Sequence, residues 1–417
     1  MRRKDFEIMA PVGSRESLQA ALQAGADSVY FGVEGLNMRA RSSANFTLDD
    51  LRDIAKICSA HGVKTYLTVN TIIYNEELEK MHNIINCAKE AGITAIIASD
   101  LSAIMYARSI GVEVHISTQC NISNFETAQF YAQFADVIVL ARELNMEQVS
   151  EIHNQILKND VRGPKGELLK IEMFAHGALC MAVSGKCYLS LHEMNASANR
   201  GACYQICRRS YLVRDTEGEV DLEIDGKYIM SPKDLCTIGF LNKMIDAGVR
   251  VFKIEGRARP AEYVKTVCEC YNEALEAYIN GNYNAEKIAS WKERLSTVFN
   301  RGFWNGYYLG QRLGEWSEVY GSKATRRKTL LGKVTNYFTK LQVAEFKIDS
   351  SELCVGEDIL VIGATTGVIE MTVPEIRVDL QPVDKVEKGT VFSMPSKTLL
   401  RRGDKLYKWE KIEEDPL

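Results

Sequence analysis

The stretch Ala24-Gly-Ala-Asp-Ser-Val-Tyr-Phe-Gly32 decides the fold, because versions of it recur along the first two thirds of the chain. Each version joins a small residue and a glycine to an apolar run of β-forming residues a few positions later. Further versions begin at His61-Gly62, Ala91-Gly92, Ile110-Gly111 and Ala247-Gly248, and at Phe134-Ala135, which lacks the glycine. Each glycine follows an amphipathic stretch, and this suits the left-handed position that ends a helix. The repeat therefore predicts helices that are each followed by a buried strand.

The apolar runs amount to eight predicted strands. Six follow the repeated phrase, and Glu7–Val12 and Lys170–Ala175 add two more. Helices are predicted between most of them, for example from Thr47–Asp50, which offers a capping side chain and an acidic first turn, and from Asn75. Near-continuous apolar strands that alternate with helices indicate a parallel sheet covered on its outer side. The pattern predicts an α/β fold, a (β/α)8 TIM-type barrel, with an open doubly wound sheet as the alternative.

The regular alternation breaks twice. Between residues 178 and 232 a long segment replaces a simple loop, and Tyr211–Val213, Val220–Ile224 and Tyr228–Met230 within it predict a small strand meander. Past Gly321 the helical periodicity stops and short strands alternate with turns. The predicted domains are a barrel over 1–320 with a cysteine-rich insertion at 178–232, and a small all-β, β-barrel-like domain over 321–417.

Composition limits the class of protein. Apolar residues make up 46% of the chain and charged residues 25%, so a large core is available and disorder is not expected. No apolar run is long enough to span a bilayer, and Met1–Phe6 leads into a strand without the apolar segment of a secretory signal. The sequence therefore predicts a cytoplasmic protein whose eleven cysteines are ligands or core residues rather than disulfides. With a net charge of −4, any RNA contact must come from local basic patches.

Polar side chains follow the predicted strands at the end that faces the active site in a TIM barrel. The candidate catalytic residues are His115, His176 and Glu255. The candidate substrate-binding residues are Arg39, Arg41, Asn70, Gln119, Arg142 and Arg257. Several arginines at one barrel mouth suit an anionic small molecule, because a guanidinium matches a carboxylate in bidentate geometry. A single histidine at a strand end is nevertheless more often structural than catalytic.

The cysteines of the insertion carry the sharpest chemical signal. Cys180, Cys187, Cys203 and Cys207 form a C-x6-C-x15-C-x3-C array, and Cys236 follows farther along. Four thiolates at a barrel mouth can bind an iron–sulfur cluster or zinc. Structural zinc usually takes tighter C-x2-C pairs, and the array is not the C-x3-C-x2-C of radical-SAM enzymes. The spacing favours a cluster, with zinc and free or redox-active cysteines as the other interpretations.

The stretch Glu172–Ser190, EMFAHGALCMAVSGKCYLS, resembles the signature of the collagenase-like peptidase family, peptidase U family 32. Other motifs agree with the same family. They are MAPVG at Met9–Gly13, the Ala24–Gly32 stretch, HISTQ at His115–Gln119, SPKDL at Ser231–Leu235 and KIEGR at Lys253–Arg257. The resemblance covers roughly residues 5 to 280, and the tail is similar to that of longer members.

The resemblance implies a function that differs from the family's name. Its better-understood members are oxygen-independent hydroxylases with a [4Fe-4S] cluster, acting on the wobble uridine of tRNA, a cytidine of ribosomal RNA or an aromatic ring in ubiquinone synthesis. The RNA branch is thought to draw its hydroxyl from prephenate, a dicarboxylate that fits the predicted arginines. A barrel with one β tail best matches the tRNA branch, which forms 5-hydroxyuridine. Members differ in the fourth cluster ligand, so Cys236 is the alternative to Cys207.

Three other functions stay open at this stage. The first is hydroxylation of ribosomal RNA or of the ubiquinone ring, as in the other branches of the family, and the second is peptide cleavage. The chain has no HExxH or GxSxG motif, and the pair of His176 and Cys180 is the nearest approach to a peptidase dyad. A cysteine that binds a cluster cannot also serve as a free nucleophile. The third hypothesis is a non-catalytic subunit that supports a paralogous partner, since some family members act as pairs.

Basic residues are concentrated at two places that could contact tRNA. One cluster, Lys323 with Arg326, Arg327 and Lys328, lies at the predicted domain junction. The other lies in the tail and comprises Lys397, Arg401, Arg402, Lys405 and Lys408. For an arbitrary protein such clusters are usually solvated surface, but the family resemblance favours phosphate binding here.

Overall fold

The predicted barrel is present in the computed structural model, which describes residues 1–41, 45–211 and 230–412. The first seven strands are β1 Glu7–Pro11, β2 Ser28–Phe31, β3 Lys64–Val69, β4 Ala95–Ala98, β5 Glu113–Ile116, β6 Val137–Val139 and β7 Lys170–Gly177. Three more follow them: β8 Asp234–Cys236, β9 Val249–Ile254 and β10 Phe303–Trp304. The strands from β1 to β7 pair in parallel with their neighbours, and β9 pairs in parallel with both β7 and β1. These eight strands form a closed ring.

Helices surround the ring, and two short strands were not predicted. The helices are α1 Arg15–Gln23, α2 Asp50–Ala60, α3 Leu78–Ala91, α4 Leu101–Ser109, α5 Phe125–Ala132, α6 Met146–Lys158, α7 Leu189–Met194, α8 Leu241–Asp246, α9 Ala261–Ile279 and α10 Ala285–Ser296. Strand β8 pairs antiparallel with the end of β7, and β10 pairs with β8. Neither strand lies in an apolar run long enough to show a hydrophobic period, so no strand signal marks them in the sequence.

The start of α2 differs from the prediction, whereas the helix-ending glycines agree with it. Gly92 follows α3 with a φ of 79°, in the left-handed region where glycine is favoured. Helix α2 begins at Asp50 rather than at Thr47. The Asp50 carboxylate accepts hydrogen bonds from the Thr47 amide at 2.9 Å and from its hydroxyl at 2.8 Å. The predicted capping relationship is therefore reversed, with the aspartate as the acceptor.

Strand alternation sorts side chains between the barrel axis and the helices. Tyr30, Tyr66 and Val251 pack in a cluster inside the ring, whereas Val29 and Leu67 pack outward in the large core that the helices cover. Successive side chains of a strand point to opposite faces, so every second residue faces the axis. This alternation decides which polar residues can reach the barrel mouth.

An antiparallel β region follows the barrel and docks on it. Its strands are β11 Arg326–Phe338, β12 Val343–Ile348, β13 Glu352–Cys354, β14 Asp358–Gly363, β15 Gly367–Thr372, β16 Ile376–Val378, β17 Gln381–Val383, β18 Lys385–Glu387, β19 Val391–Pro395 and β20 Lys405–Lys411. Eight of them form one sheet in the order β15-β14-β20-β11-β12-β19-β16-β17, and β13 pairs with β18. Leu360, Val368 and Trp409 pack in the barrel's core cluster. The Gln23 side chain on α1 bonds to the Thr366 carbonyl at 2.7 Å and to the Val368 amide at 2.9 Å.

Two further expectations from the sequence concern the strand meander of the insertion and membrane-spanning segments. Most of the predicted meander in the insertion falls on residues 212–229, which lie outside the described residues. No helix in the described ranges is both long enough and apolar enough to cross a membrane.

Candidate functional site

A cavity of about 200 Å³ lies at the carboxyl-terminal end of the barrel strands. Its wall is formed partly by residues that follow β3, β5, β7 and β9, and partly by the cysteine-rich insertion. Phe174, Leu179 and Met181 supply apolar surface on one side. The barrel and the insertion therefore build the cavity jointly, at the end of the barrel where active sites of this fold lie.

The insertion is held against the loops that follow β2 and β3. The Arg41 amide donates to the Gly201 carbonyl at 3.3 Å, and the Ile72 amide donates to the Asn199 carbonyl at 3.3 Å. The guanidinium of Arg200 bonds to Glu77 at 2.6 Å. A Cβ atom at Gly201 would approach the Asn37 carbonyl oxygen to 2.2 Å, so only glycine allows this close contact.

All four cysteines of the predicted array line the cavity. Cys180 is exposed and Cys187, Cys203 and Cys207 are half-buried. Burial is the main cause that raises the pKa of Cys207, with nearby Arg208 lowering it and the other three thiols raising it further. Cys236 is fully buried and does not line the cavity. In the described ranges no group of three or more His, Cys, Asp or Glu side chains is arranged to hold a metal ion.

The lining is strongly cationic. The basic residues are Arg39, Arg142, Arg208, Lys253, Arg257, Arg259 and Arg301, and among the described lining residues the only carboxylate is Glu255. The guanidinium of Arg39 bonds to Glu255 at 2.6 Å, and Glu255 raises the pKa of Arg39. Burial by itself would raise the pKa of Glu255, but Arg39, Arg142 and Arg257 together lower that pKa to about 2. Glu255 is therefore an ionised carboxylate at neutral pH.

Arg257 is a buried part of the cavity wall and is held by two side-chain hydrogen bonds. Its Nη1 donates to Thr68 Oγ1 at 2.9 Å and to Asn37 Oδ1 at 3.1 Å. Burial lowers the pKa of Arg257 to about 10. A Cβ atom at Gly32 would approach Arg257 Nη1 to 2.6 Å, and one at Gly13 would approach its carbonyl oxygen to 2.0 Å. Both glycines belong to the motifs that carry the family resemblance, and both make room for this arginine.

The remaining predicted binding residues also reach the cavity. Asn70 donates to Gln119 Oε1 at 3.3 Å, and Gln119 bonds to the Ser117 hydroxyl. The Arg142 guanidinium lies 3.9 Å above the Phe174 ring, and its buried Nε has no hydrogen-bond partner among the described residues. An unpartnered buried donor in a cavity wall is suited to an anionic ligand.

Three predicted residues do not line the cavity. Arg41 stacks on the Tyr204 ring at 4.0 Å and is exposed. His115 is buried inside the barrel, with its ring 4.4 Å from that of Tyr66. His176 is buried among Tyr263, Tyr271 and Phe303, and burial lowers its pKa to about 3. His176 is therefore a neutral core residue in contact with aromatic rings.

Sequence reasoning missed four of the seven basic lining residues: Arg208, Lys253, Arg259 and Arg301. Lys253 could have been found, since it alternates with Glu255 and Arg257 in the KIEGR motif and must face the same side of its strand. Arg259 and Arg301 lie 3.6 and 3.5 Å from the two oxygens of Asp234. Burial is the main cause that lowers the pKa of Arg301 to about 10, and Arg208 adds to it. Their approach depends on β8 and on the loop before β10, which had no sequence signal.

The fold and the site define a class: a TIM-type barrel protein with a thiol- and guanidinium-lined cavity at its mouth. The profile described as "Peptidase family U32" matches residues 13–318, so the chain belongs to this family. A Porphyromonas gingivalis protein named "Collagenase" is 64% identical over 414 residues, 99% of this chain and 100% of the relative.

Relatives with other names are more distant. The "tRNA hydroxylation protein P1" of Bacillus subtilis is 33% identical over 342 residues, 80% of this chain and 78% of the relative. The "23S rRNA 5-hydroxycytidine C2501 synthase" of Escherichia coli is 34% identical over 317 residues, 74% of this chain and 46% of the relative. The family thus includes proteins named for peptide cleavage and proteins named for RNA hydroxylation.

Proposed function

We propose that this chain is an oxygen-independent tRNA hydroxylase that forms 5-hydroxyuridine at the wobble position. In this proposal Cys180, Cys187, Cys203 and Cys207 hold a [4Fe-4S] cluster, and prephenate binds beside it as the hydroxyl donor. The observation that carries the proposal is the convergence of four cysteines and seven basic side chains on one small cavity. The RNA hydroxylation names among the relatives point the same way.

The donor set suits a cluster. Four thiols that line one cavity are the usual ligands of a [4Fe-4S] centre. A single zinc ion needs all its sulfur ligands about 2.3 Å away, whereas a cluster binds each thiolate on a different iron and spaces the sulfurs more widely. Structural zinc usually takes tighter C-x2-C pairs than this C-x6-C-x15-C-x3-C array offers, so the spacing favours the cluster. When bound, such a cluster can supply redox or Lewis-acid chemistry to the cavity.

The basic side chains suit a small dianion. Arg39, Arg142 and Arg257 surround the position of Glu255, and Lys253 adds a fourth cation to the same wall. Guanidinium groups that rigid partners hold in place lose little freedom when they bind a carboxylate. The tRNA partner would then bring its uridine to the open side of the cavity. The proposal also includes a paralogous subunit as a partner in this step.

Peptide cleavage is the second candidate, because a relative that is 64% identical is named collagenase. A peptidase needs a nucleophile or activated water beside a general base. No histidine is among the described residues that line the cavity, and Glu255 is tied to Arg39 with a strongly lowered pKa. The cavity thus offers a poor general base, and this favours the hydroxylase over the peptidase.

A deletion strain separates the two candidates. We expect its tRNA to lack wobble 5-hydroxyuridine or the nucleosides made from it, as measured by mass spectrometry of digested tRNA. Expression of the wild-type chain should restore the nucleoside, and expression of the Cys187→Ala variant should not. Unchanged tRNA in the deletion strain, together with gelatin cleavage by the purified wild-type protein, would favour the peptidase.

A further inference from the structure

Lys253 connects the cavity to a row of buried charged residues inside the barrel, and the role of that row in ligand binding has not been assigned so far. It lies on β9 between two residues that pack outward, so its side chain points into the barrel, and it lines the cavity floor. Its Nζ bonds to Glu172 Oε1 at 2.7 Å. Lysine and glutamate are both buried, with side-chain exposures of 6% and 0%. Burying both charges costs desolvation free energy, and the ion pair offsets that cost only when its geometry is good and further hydrogen bonds satisfy the remaining polar atoms.

The second oxygen of Glu172 and one ring nitrogen of His115 face each other without other partners. His115 Nδ1 and Glu172 Oε2 are 3.8 Å apart. In the described part of the chain neither buried atom has a hydrogen-bond partner. On its other side, His115 Nε2 lies 3.6 Å from Glu113, whose carboxylate bonds to Lys165 at the barrel's far end. The row Lys253, Glu172, His115, Glu113 runs from the cavity down through the barrel.

The net charge of the groups around His115 depends on whether His115 is protonated. The carboxylates that face it are Glu7 of β1, Glu113 of β5 and Glu172 of β7, and each pairs with one lysine, Lys64, Lys165 or Lys253 respectively. The ring of Tyr66 on β3 lies 4.4 Å from the His115 ring at an interplanar angle of 48°, and its hydroxyl donates to Glu7 at 2.7 Å. Three carboxylates and three lysines cancel. A proton on His115 therefore leaves one uncompensated positive charge beneath the cavity floor.

We propose that Lys253 is a floor cation that receives a carboxylate of the anionic ligand, with Glu172 and His115 as positioning residues behind it. The inference rests on the proposed function, because prephenate is the dianion used to test it. When the ligand carboxylate meets Lys253, its negative charge offsets the charge on His115, so anion binding and protonation of His115 support each other. Burial by itself would lower the pKa of His115, but Glu113 and Glu172 outweigh it and raise that pKa.

Calorimetry with prephenate tests the role of Lys253. The single change Lys253→Met would leave Glu172 as an unpaired buried charge, so the test uses the charge-balanced double variant Lys253→Met/Glu172→Gln. We expect its affinity to be at least about tenfold weaker than that of wild type. The matched control is Lys328→Met/Glu262→Gln, which removes a similar pair, 2.8 Å apart, at the junction with the tail. The control should bind prephenate as wild type does.

The pH profile tests the role of His115. The positive charge is present below the raised pKa of His115 and lost above it, so prephenate affinity should fall by up to about tenfold per pH unit as the pH rises through that value. In His115→Asn we expect the profile to be flat over the same range. Equal affinity in the Lys253→Met/Glu172→Gln variant, or an unchanged pH slope in His115→Asn, would overturn this inference alone. Failure of wild type to bind prephenate would overturn both the inference and the proposed hydroxyl donor.

Discussion

Glu255 lines the cavity, whereas His115 and His176, which were predicted as catalytic residues in the same way, do not. Its carboxylate bonds to Arg39 at 2.6 Å, and Tyr30 donates to its other oxygen at 3.2 Å. A carboxylate with a pKa of about 2 is ionised at neutral pH and exchanges protons poorly there. Glu255 is therefore better suited to orient the arginines around it than to act as a general acid or base.

The stability of the protein should depend on this carboxylate at low pH. The pKa of Glu255 is lowered from 4.5 to about 2 in the fold, so its stabilising effect is complete above about pH 5 and is lost as the pH falls toward 2. Between pH 6 and pH 3 we expect wild type to lose about 2 kcal/mol more unfolding free energy than Glu255→Gln. Urea unfolding at each pH measures the difference.

An exposed carboxylate provides the control for that prediction. Glu276 lies exposed on α9, far from the cavity lining, so Glu276→Gln should follow the wild-type pH dependence. Parallel pH curves for wild type and Glu255→Gln would mean that the arginines do not stabilise this carboxylate as described.

At the scale of elements, the insertion is the part that turns a barrel mouth into a candidate redox centre. It contributes four thiols to the cavity, and backbone hydrogen bonds to Arg41 and Ile72 fix it to the loops that follow β2 and β3. Cys236, the alternative fourth ligand, belongs to β8 instead and is buried away from the cavity. Burial raises its pKa to about 11, which disfavours the thiolate that a metal needs.

The iron content of alanine variants should distinguish the four cysteines of the array from Cys236. We expect Cys207→Ala to lose most of the iron and sulfide of the anaerobically purified protein, as Cys180→Ala, Cys187→Ala and Cys203→Ala should also do. Cys236→Ala should keep about four iron atoms per chain. Iron and acid-labile sulfide are measured on protein of equal folded content. If Cys236→Ala loses iron and Cys207→Ala retains it, the assigned fourth ligand is wrong.

The sequence predicted the elements of the barrel better than the contents of its interior. The strands follow from apolar runs and the helix ends from glycines such as Gly92, because both signals are local. His115 and Arg257 were assigned to one mouth because each lies near a strand end, yet only Arg257 reaches it. The depth of a side chain along the barrel axis depends on the register between neighbouring strands, and that register is set by pairing between residues far apart in the sequence. The same limit hid Arg301, whose approach to Asp234 depends on the short strand β8.

At the scale of the whole molecule, the two basic clusters predicted to contact tRNA differ in their ion pairs. The basic side chains at the junction already have carboxylate partners. These pairs are Lys323 with Glu318, Arg326 with Asp358, Arg327 with Glu410, and Lys328 with Glu262. Arg401 and Arg402, just before β20, are exposed and have no ion pair with any described residue. We therefore expect phosphate contacts in the tail at these two arginines rather than at the junction.

Charge reversal at Arg401 and Arg402 tests that expectation. The double Arg→Glu variant should bind tRNA more weakly and flatten the slope of log affinity against log salt by roughly two units, one for each phosphate contact. Prephenate affinity and iron content should not change, because neither residue lines the cavity. Lys158→Glu, an exposed change on α6, serves as the control. A slope that is the same in all three proteins would exclude this surface as an RNA contact.

In the proposed reaction, the cavity brings prephenate and a tRNA uridine together for hydroxyl transfer. The most direct measurement uses prephenate labelled with oxygen-18 in its hydroxyl group, incubated anaerobically with reconstituted protein and unmodified tRNA. Mass spectrometry of the digested tRNA should then find the label in wobble 5-hydroxyuridine with wild type, and no product with Cys187→Ala. Unlabelled 5-hydroxyuridine would contradict the role of prephenate, and the absence of any hydroxylated uridine with wild type would contradict the proposed hydroxylation of tRNA.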